Sequence, residues 1–480
     1  MRNLMLSNSL FSYLVIVFAF LMFVGFCDAQ ITWVHTYGGV DDEGGYSVAQ
    51  TTDGGYIVAG YTYSYGTADV SAYLVRTNEM GEVIWTQYFG DATYNVAQSV
   101  AQTSDGGFIL AGYSGEYGDY DVYVVKTDET GSVQWTGTYG GSLDDVAYSI
   151  AQTTDGGYII AGYSQSFDDG AWGDVYVLKL NSTGDTVWTR TFGDIDEDYA
   201  YSVKQTTDGG FIIAGYSRYS GIGDMYVIKL DASGEPEWQR NYVGDVAYSV
   251  AQTSDGGYVI AGWIDYYDFD VRIIKIDAAG DTVWSRIFGG YEEDESYSVA
   301  ATSDGGCVVA GYTNSFGAGA DDVYLLRLNS TGDTVWTRTF GDEDDEEGYC
   351  VAQTSDGGYV IAGYIEYYGS DEVYLIKTDS MGFVSISEKD LQEPDVISID
   401  VYPNPFNSSC EINVPAQSKV SICDITGNVV YAPSEDGQNV HSQTRTIIWK
   451  PADEISSGMY FATAVLNDGR VISERVIYLK

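Results

Sequence analysis

The chain has 480 residues and a formal net charge of −48, from 70 acidic side chains against 22 basic ones. A surface this acidic repels nucleic-acid phosphates and anionic lipid, which excludes both as partners. Disorder is excluded as well, because 45% of residues are apolar and 15% aromatic, and the 57 Gly and 43 Tyr beside only 7 Pro predict short strands joined by glycine turns.

Residues 1–29 read as a signal peptide. Arg2 precedes the apolar run LFSYLVIVFAFLMFVGFC, and Cys27-Asp28-Ala29 supplies a cleavage site before Gln30. A lipoprotein site at Cys27 is the competing reading, but Phe26 stands where that site needs a small residue; a retained anchor is a third. No other stretch is apolar enough to cross a bilayer, so an exported chain with no membrane span after signal removal is expected.

The next stretch, ITWVHTYGG at 31–39, looks like the close of a unit that has not yet begun, since VIWTQYFG at 83–90 and TVWTRTFG at 186–193 each end a longer repeat. The repeat is marked by Asp-Gly-Gly at Asp53, Asp105, Asp155, Asp208, Asp255, Asp304 and Asp356, spaced 47 to 53 residues apart. The third copy predicts four strands: A (YSIAQT), B (YIIAGY), C (DVYVLKL) and D (TVWTRTFG). Asp-Gly between alternating apolar runs is a hairpin signal, because glycine accepts the positive φ of such turns. Four strands in a period near 50 is a propeller period.

The last unit has A, B and C but no strand D tryptophan. The orphan at 31–39 would supply it and remove the exposed sheet edges. The expected fold is therefore all-β: a seven-bladed β-propeller over 30–385, closed by an N-terminal latch strand. A basic residue in strand C and the strand D tryptophan are nine apart in all six internal cases, whereas the B–C loops vary in length. One face is thus uniform. The other, built by B–C and D–A loops, carries the differences and is the expected binding face.

Residues 386–398 read as a polar linker. The segment 399–480 then brings Tyr-Pro-Asn-Pro-Phe-Asn at 402–407, Asp-Ile-Thr-Gly at 424–427, Gly-Met-Tyr at 458–460 and a final strand ending in Lys480. In this order the motifs resemble the C-terminal sorting domain of the type IX secretion system. That resemblance implies a small β-sandwich read by the secretion machinery, and display at the outer cell surface. The repeats in turn resemble those of secreted bacterial propellers with a TxDGGYIxAGY pattern, which implies a fold and no activity. Cys410 and Cys423 fall either side of a turn at 415–418, and are either a cross-strand disulfide or two free thiols.

Chemistry is sparse. Only His35 and His441 are available as imidazoles, no Cys/His spacing suits zinc, and the glycine pairs sit in hairpins rather than before helices. His35 occupies the position of Arg190, Arg240, Arg286 and Arg338 in other units and reads as a repeat position. Six acids lie just before strand A: Glu43, Asp145, Asp198, Asp245, Asp294 and Glu346. They would either ring a calcium site at the channel mouth or each cap its own D–A turn, the latter being preferred. Further loop acids, including Glu295 and Glu347, read as solvated charge. Loop aromatics and neighbouring carboxylates at Phe167, Trp172, Asp265, Tyr266, Tyr267, Asp268, Tyr367 and Tyr368 are the candidate ligand site, since exposed rings beside acids suit sugar faces and protein contacts alike. The expected function is a monomeric surface module that binds a glycan or protein. The alternatives are a polysaccharide-active enzyme using loop carboxylates, or a structural protein without a specific ligand.

Overall fold

The computed structural model describes residues 30–66, 68–91, 94–167, 172–219, 222–243, 246–265, 269–367, 369–384, 400–402, 406, 408–415, 418–424, 429–433, 444–452, 455–465 and 471–480. The signal-peptide stretch 1–29 and the linker lie outside them, as does His441. Every regular element among the described residues is a β-strand. The chain divides into two compact units, Met1–Ser385 and Ile386–Lys480.

In the first unit the four strands of each repeat form one antiparallel sheet in the order A-B-C-D. The first sheet runs Glu43–Gln50, Tyr56–Thr62, Ser71–Thr77 and Val83–Phe89; five more begin at Tyr94, Asp145, Asp198, Val246 and Asp294. The seventh has Glu346–Gln353, Tyr359–Tyr367 and Ser370–Thr378 from the end of the unit, and takes Trp33–Tyr37 from its start as the fourth strand. The register Trp33↔Lys377 repeats that of Trp85↔Arg76 and Trp336↔Arg327 in other sheets.

Burial follows the residue pattern. Strands B and C are covered on both faces and read as nearly continuous apolar runs. Each fully buried Val, Ile or Leu there contributes about 1.5–3 kcal/mol. Strand D is outermost and alternates, with TVWTRTF at 186–192 exposing every other side chain. Apolar clusters join neighbouring sheets. One sets Val48, Val58 and Val75 of the first sheet against Val360, Val373 and Leu375 of the seventh.

Two polar devices and one packing contact repeat at the joints between sheets. The strand A glutamine of one sheet accepts the turn N–H of the sheet before it: Thr52 to Gln102 (2.8 Å), Ser104 to Gln152 (2.8 Å), and Ser355 of the seventh sheet to Gln50 of the first (2.7 Å). The strand A serine accepts a main-chain N–H from the next sheet, as Ser47 does from Val100 (3.2 Å) and Ser298 from Val351 (3.0 Å). The strand D tryptophan lies against the C–D turn glycine of the next sheet. Gly81, at φ 78°, has the His35 ring where a Cβ would stand and the Trp33 ring beside it, which excludes any larger residue there.

The second unit has two sheets over one core. Asp400–Tyr402, Cys410–Pro415 and Thr444–Trp449 form one; Val429–Tyr431, Lys419–Asp424, Gly458–Val465 and Val471–Tyr478 form the other. Phe406, Ile412, Ile422, Trp449, Tyr460 and Tyr478 are buried between them. Cys410 stands opposite Trp449 in the first sheet and Cys423 opposite Phe461 in the second. The cross-strand disulfide is therefore corrected: the two thiols belong to different sheets and are free.

Candidate functional site

The two ends of the sheets in the first unit are chemically distinct. At the end formed by A–B and C–D turns, the strand C cation of every sheet pairs with the Asp-Gly-Gly aspartate of the same sheet. Arg76–Asp53, Lys126–Asp105, Lys179–Asp155, Lys229–Asp208, Lys275–Asp255, Arg327–Asp304 and Lys377–Asp356 span 2.6 to 3.1 Å. The cations are buried and donate also to a strand carbonyl, as Lys126 does to Thr127 (2.8 Å). Burial opposes ionisation at Asp105, Asp155 and Asp208. Hydrogen bonds from the threonine two residues earlier, from the turn glycine N–H and from the paired lysine outweigh it and hold these carboxyls at about 2. Asp255 is at about 2 as well, with Thr253 the largest influence.

At the other end, carboxylates meet carboxylates. Burial first, then Asp345, Glu293 and Asp322, push Asp321 up to about 6. Burial is also the largest influence on Glu346 and Glu347, which stand at about 7. Glu347 accepts the Tyr364 hydroxyl at 3.0 Å, and burial raises Glu295, which is hydrogen-bonded by Tyr297 and Tyr312. Glu295 and Glu347 lie in strand A and are half-buried, so they are not the solvated loop charge expected of them.

The five described acids before strand A are not brought together into a metal site. Among the described residues no three His, Cys, Asp or Glu side chains form a group that could hold a metal ion. Each described member instead accepts an N–H four residues earlier in its own D–A turn: Glu43 from Gly39 (2.6 Å), Asp145 from Gly141 (2.7 Å), Asp198 from Asp194 (3.0 Å), Asp294 from Gly290 (2.7 Å) and Glu346 from Asp342 (3.1 Å). Asp245 lies outside the described residues.

Of the loop candidates, Phe167 is 47% exposed with its ring 5.5 Å from Tyr176, and Trp172 is 57% exposed. Asp265 ends its strand B and is exposed, and Tyr367 pairs with Ser370. Tyr266, Tyr267, Asp268 and Tyr368 lie outside the described residues. Two rings on the same face are more exposed than Phe167 or Trp172, Tyr117 at 91% and Tyr291 at 92%. His35 lies beside Trp33, at 5.1 Å, as Arg190, Arg240, Arg286 and Arg338 lie over their own tryptophans.

Sequence reasoning missed what the strand A bulge does. In all seven sheets the A–B register shifts around one extra residue, for example between Gly45 and Ser47. A bulge re-aims its side chain, and here the extra residue is Tyr46, Gln98, Tyr148, Tyr201, Tyr248, Tyr297 or Tyr349. The tyrosine rings follow one another at 4.8 to 5.3 Å, from Tyr148 through Tyr201, Tyr248, Tyr297 and Tyr349 to Tyr46. Together with Gln98 and the residues that follow the bulges, six serines and Cys350, they line a cavity of about 270 Å³ to which all seven sheets contribute. Lys204 also lines it, at a strand A position held by alanine in the other six sheets.

Two family descriptions match the chain. "Secretion system C-terminal sorting domain" matches residues 400–478, and "Domain of unknown function (DUF5122) beta-propeller" matches residues 302–334. No curated protein matches. Solved structures that match include Sqt1 from Chaetomium thermophilum, 12% identical over 73% of this chain and 84% of that one, with a TM-score of 0.44. BBS1N in complex with ARL6DN is 10% identical over 73% and 97%, with a TM-score of 0.42. The puromycin hydrolase S511A mutant complexed with PGG is 13% identical over 77% and 58%, with a TM-score of 0.43. These three likenesses assign nothing to this chain. The family matches do: this is a β-propeller protein with a type IX secretion sorting domain at its C-terminal end, secreted and displayed at the cell surface.

Proposed function

We propose that the first unit is a seven-bladed propeller, closed by Trp33–Tyr37 as its latch, that binds a glycan or protein ligand through its D–A/B–C face. On this reading residues 1–29 direct export, 30–385 bind, 386–398 link, and 399–480 engage the type IX machinery. The pairing of Trp33–Tyr37 with Ser370–Thr378 and the bond from Ser355 to Gln50 support the closure. The observation that carries the binding role is the set of exposed rings on one face, Tyr117, Trp172 and Tyr291, beside carboxylates on the same loops. Rings of this kind stack on sugar faces while acids bond the hydroxyls.

The test is a glycan array with the purified mature chain, run with calcium and with a chelator, beside the Tyr117→Ala, Trp172→Ala and Tyr291→Ala variants. Loss of binding in the variants supports the reading. Binding that survives all three sinks it, and the absence of binding in either buffer shifts the weight to a protein partner or a structural role. One observation favours a second reading, a polysaccharide-active enzyme: Asp321 and Glu347 hold their protons to about 6 and about 7, which suits a general acid. Release of product from a polysaccharide panel, abolished in Glu347→Gln, would establish it.

A further inference from the structure

The central cavity has one charged lining residue, and in this acidic chain it is a cation. Lys204 stands three residues beyond Tyr201, one residue before Gln205 and near the A–B turn end of its strand. The other six sheets carry Ala49, Ala101, Ala151, Ala251, Ala300 and Ala352 at this position, so the repeat does not require a lysine for folding. The other five lysines of the propeller unit are buried, and each has an aspartate. Lys204 has no hydrogen bond or ion pair to any described residue. Its side chain is exposed to the cavity, inside the ring of sheets, and the loss of bulk solvent there lowers it below the usual lysine range, with Cys350 opposing.

The rest of the lining supplies donors. Ser47, Ser99, Ser149, Ser202, Ser249 and Ser298 each accept a main-chain N–H from the next sheet. Each keeps its own O–H, for which no described residue is an acceptor. No carboxylate lines the cavity. A chamber of ring faces, hydroxyl donors and one ammonium matches a small molecule with an apolar or sugar body and a single negative charge. One point charge without a guanidinium fork suits a carboxylate better than a phosphate dianion. The net charge of −48 does not forbid this: surface charge is screened within about 8 Å at physiological salt, and the nearby carboxyls, Glu295 and Glu347, are hydrogen-bonded to the lining Tyr297 and Tyr349 and raised by burial, so that Glu347 stands at about 7.

We propose that the cavity binds a small organic carboxylate, with Lys204 as its counter-ion and the tyrosine and serine ring as its walls and donors. This site is separate from the loop face and does not rest on the function proposed above.

The test is calorimetric titration of the full mature chain and its Lys204→Ala variant with sodium galacturonate, sodium acetate, sodium chloride and galactose at constant ionic strength. Lys204→Ala installs the residue of the other six sheets, so the fold is expected to be unchanged. The proposal expects galacturonate and acetate to bind the wild type, and the variant to lose about tenfold or more in affinity. Affinity should also fall in the wild type alone as rising pH removes the lysine proton. Equal affinity in the variant, or galactose binding that Lys204→Ala weakens as much as it weakens galacturonate, would overturn it. So would chloride competing as effectively as acetate, since the site would then hold any monoanion, and so would no heat from either carboxylate.

Discussion

At the A–B/C–D end of the sheets, seven aspartates each have a cation from their own strand C, and the geometry repeats within half an ångström. At the D–A/B–C end, burial is the largest influence on Asp321, Glu346 and Glu347, and neighbouring carboxylates add to it. At one end Asp105, Asp155, Asp208 and Asp255 are depressed to about 2, and at the other Asp321, Glu346 and Glu347 are raised to about 6 or 7. The same chain thus uses acids in two ways. Paired acids hold the hairpins in register, while crowded acids cost stability at neutral pH, a pattern common where a surface is kept for binding.

Acid breaks the first end most strongly. The folded carboxyls at about 2 lie below the unfolded value of 3.8. The unfolded chain therefore binds more protons in that window, and stability falls as pH falls. The propeller unit should lose its structure cooperatively between about pH 4 and pH 2, read by circular dichroism. Asp105→Ala should cost about 3 kcal/mol in urea unfolding, because it leaves the buried Lys126 charge with only neutral acceptors. The same change at the exposed Asp342 should stay within about 0.5 kcal/mol.

Glu347→Gln sharpens the opposite end. Its folded value of about 7 lies above the unfolded 4.5, so the folded chain binds more protons and stability rises as pH falls from 8 toward 5. Removing the charge should add about 1–2 kcal/mol at pH 8, after allowance for water around this half-buried group, and nothing at pH 5. Thermal melts at the two pH values check this. The smallest effect is at a joint between sheets. Ala301 stands where the other six sheets have the interlocking glutamine, so Ala301→Gln should add about 0.5–1 kcal/mol by accepting the Ser254 N–H.

Much of the paired end was legible in the sequence. The nine-residue spacing from strand C cation to strand D tryptophan is the register Lys126↔Trp135 itself, and the Asp-Gly-Gly turn brings its aspartate to that cation. The partner identity was not legible, because in an acidic chain every lysine has many candidate acids. The tyrosine ring was missed for a different reason. Alternation assigns a strand residue to one face or the other, and the bulge at Tyr46 breaks that rule by one residue. The bulge also extends strand A backward. Asp145 and Glu347, expected in loops, therefore belong to strands. Lys204 was visible as a lysine among alanines, but its setting depends on knowing which strand faces the cavity.

The pairing of Trp33–Tyr37 with Ser370–Thr378 also sets an order of events. The first strand of the unit to be synthesised pairs with the last. Until residues 370–378 exist, the opening segment has no partner strand, and each of the six complete sheets can form from its own neighbours in sequence. Closing the final sheet joins segments separated by nearly the whole unit, the kind of contact that forms late and slowly. For an exported chain this delays completion until translation of the unit is finished, and the interval in which the chain remains short of its final fold is set by the position of a single strand.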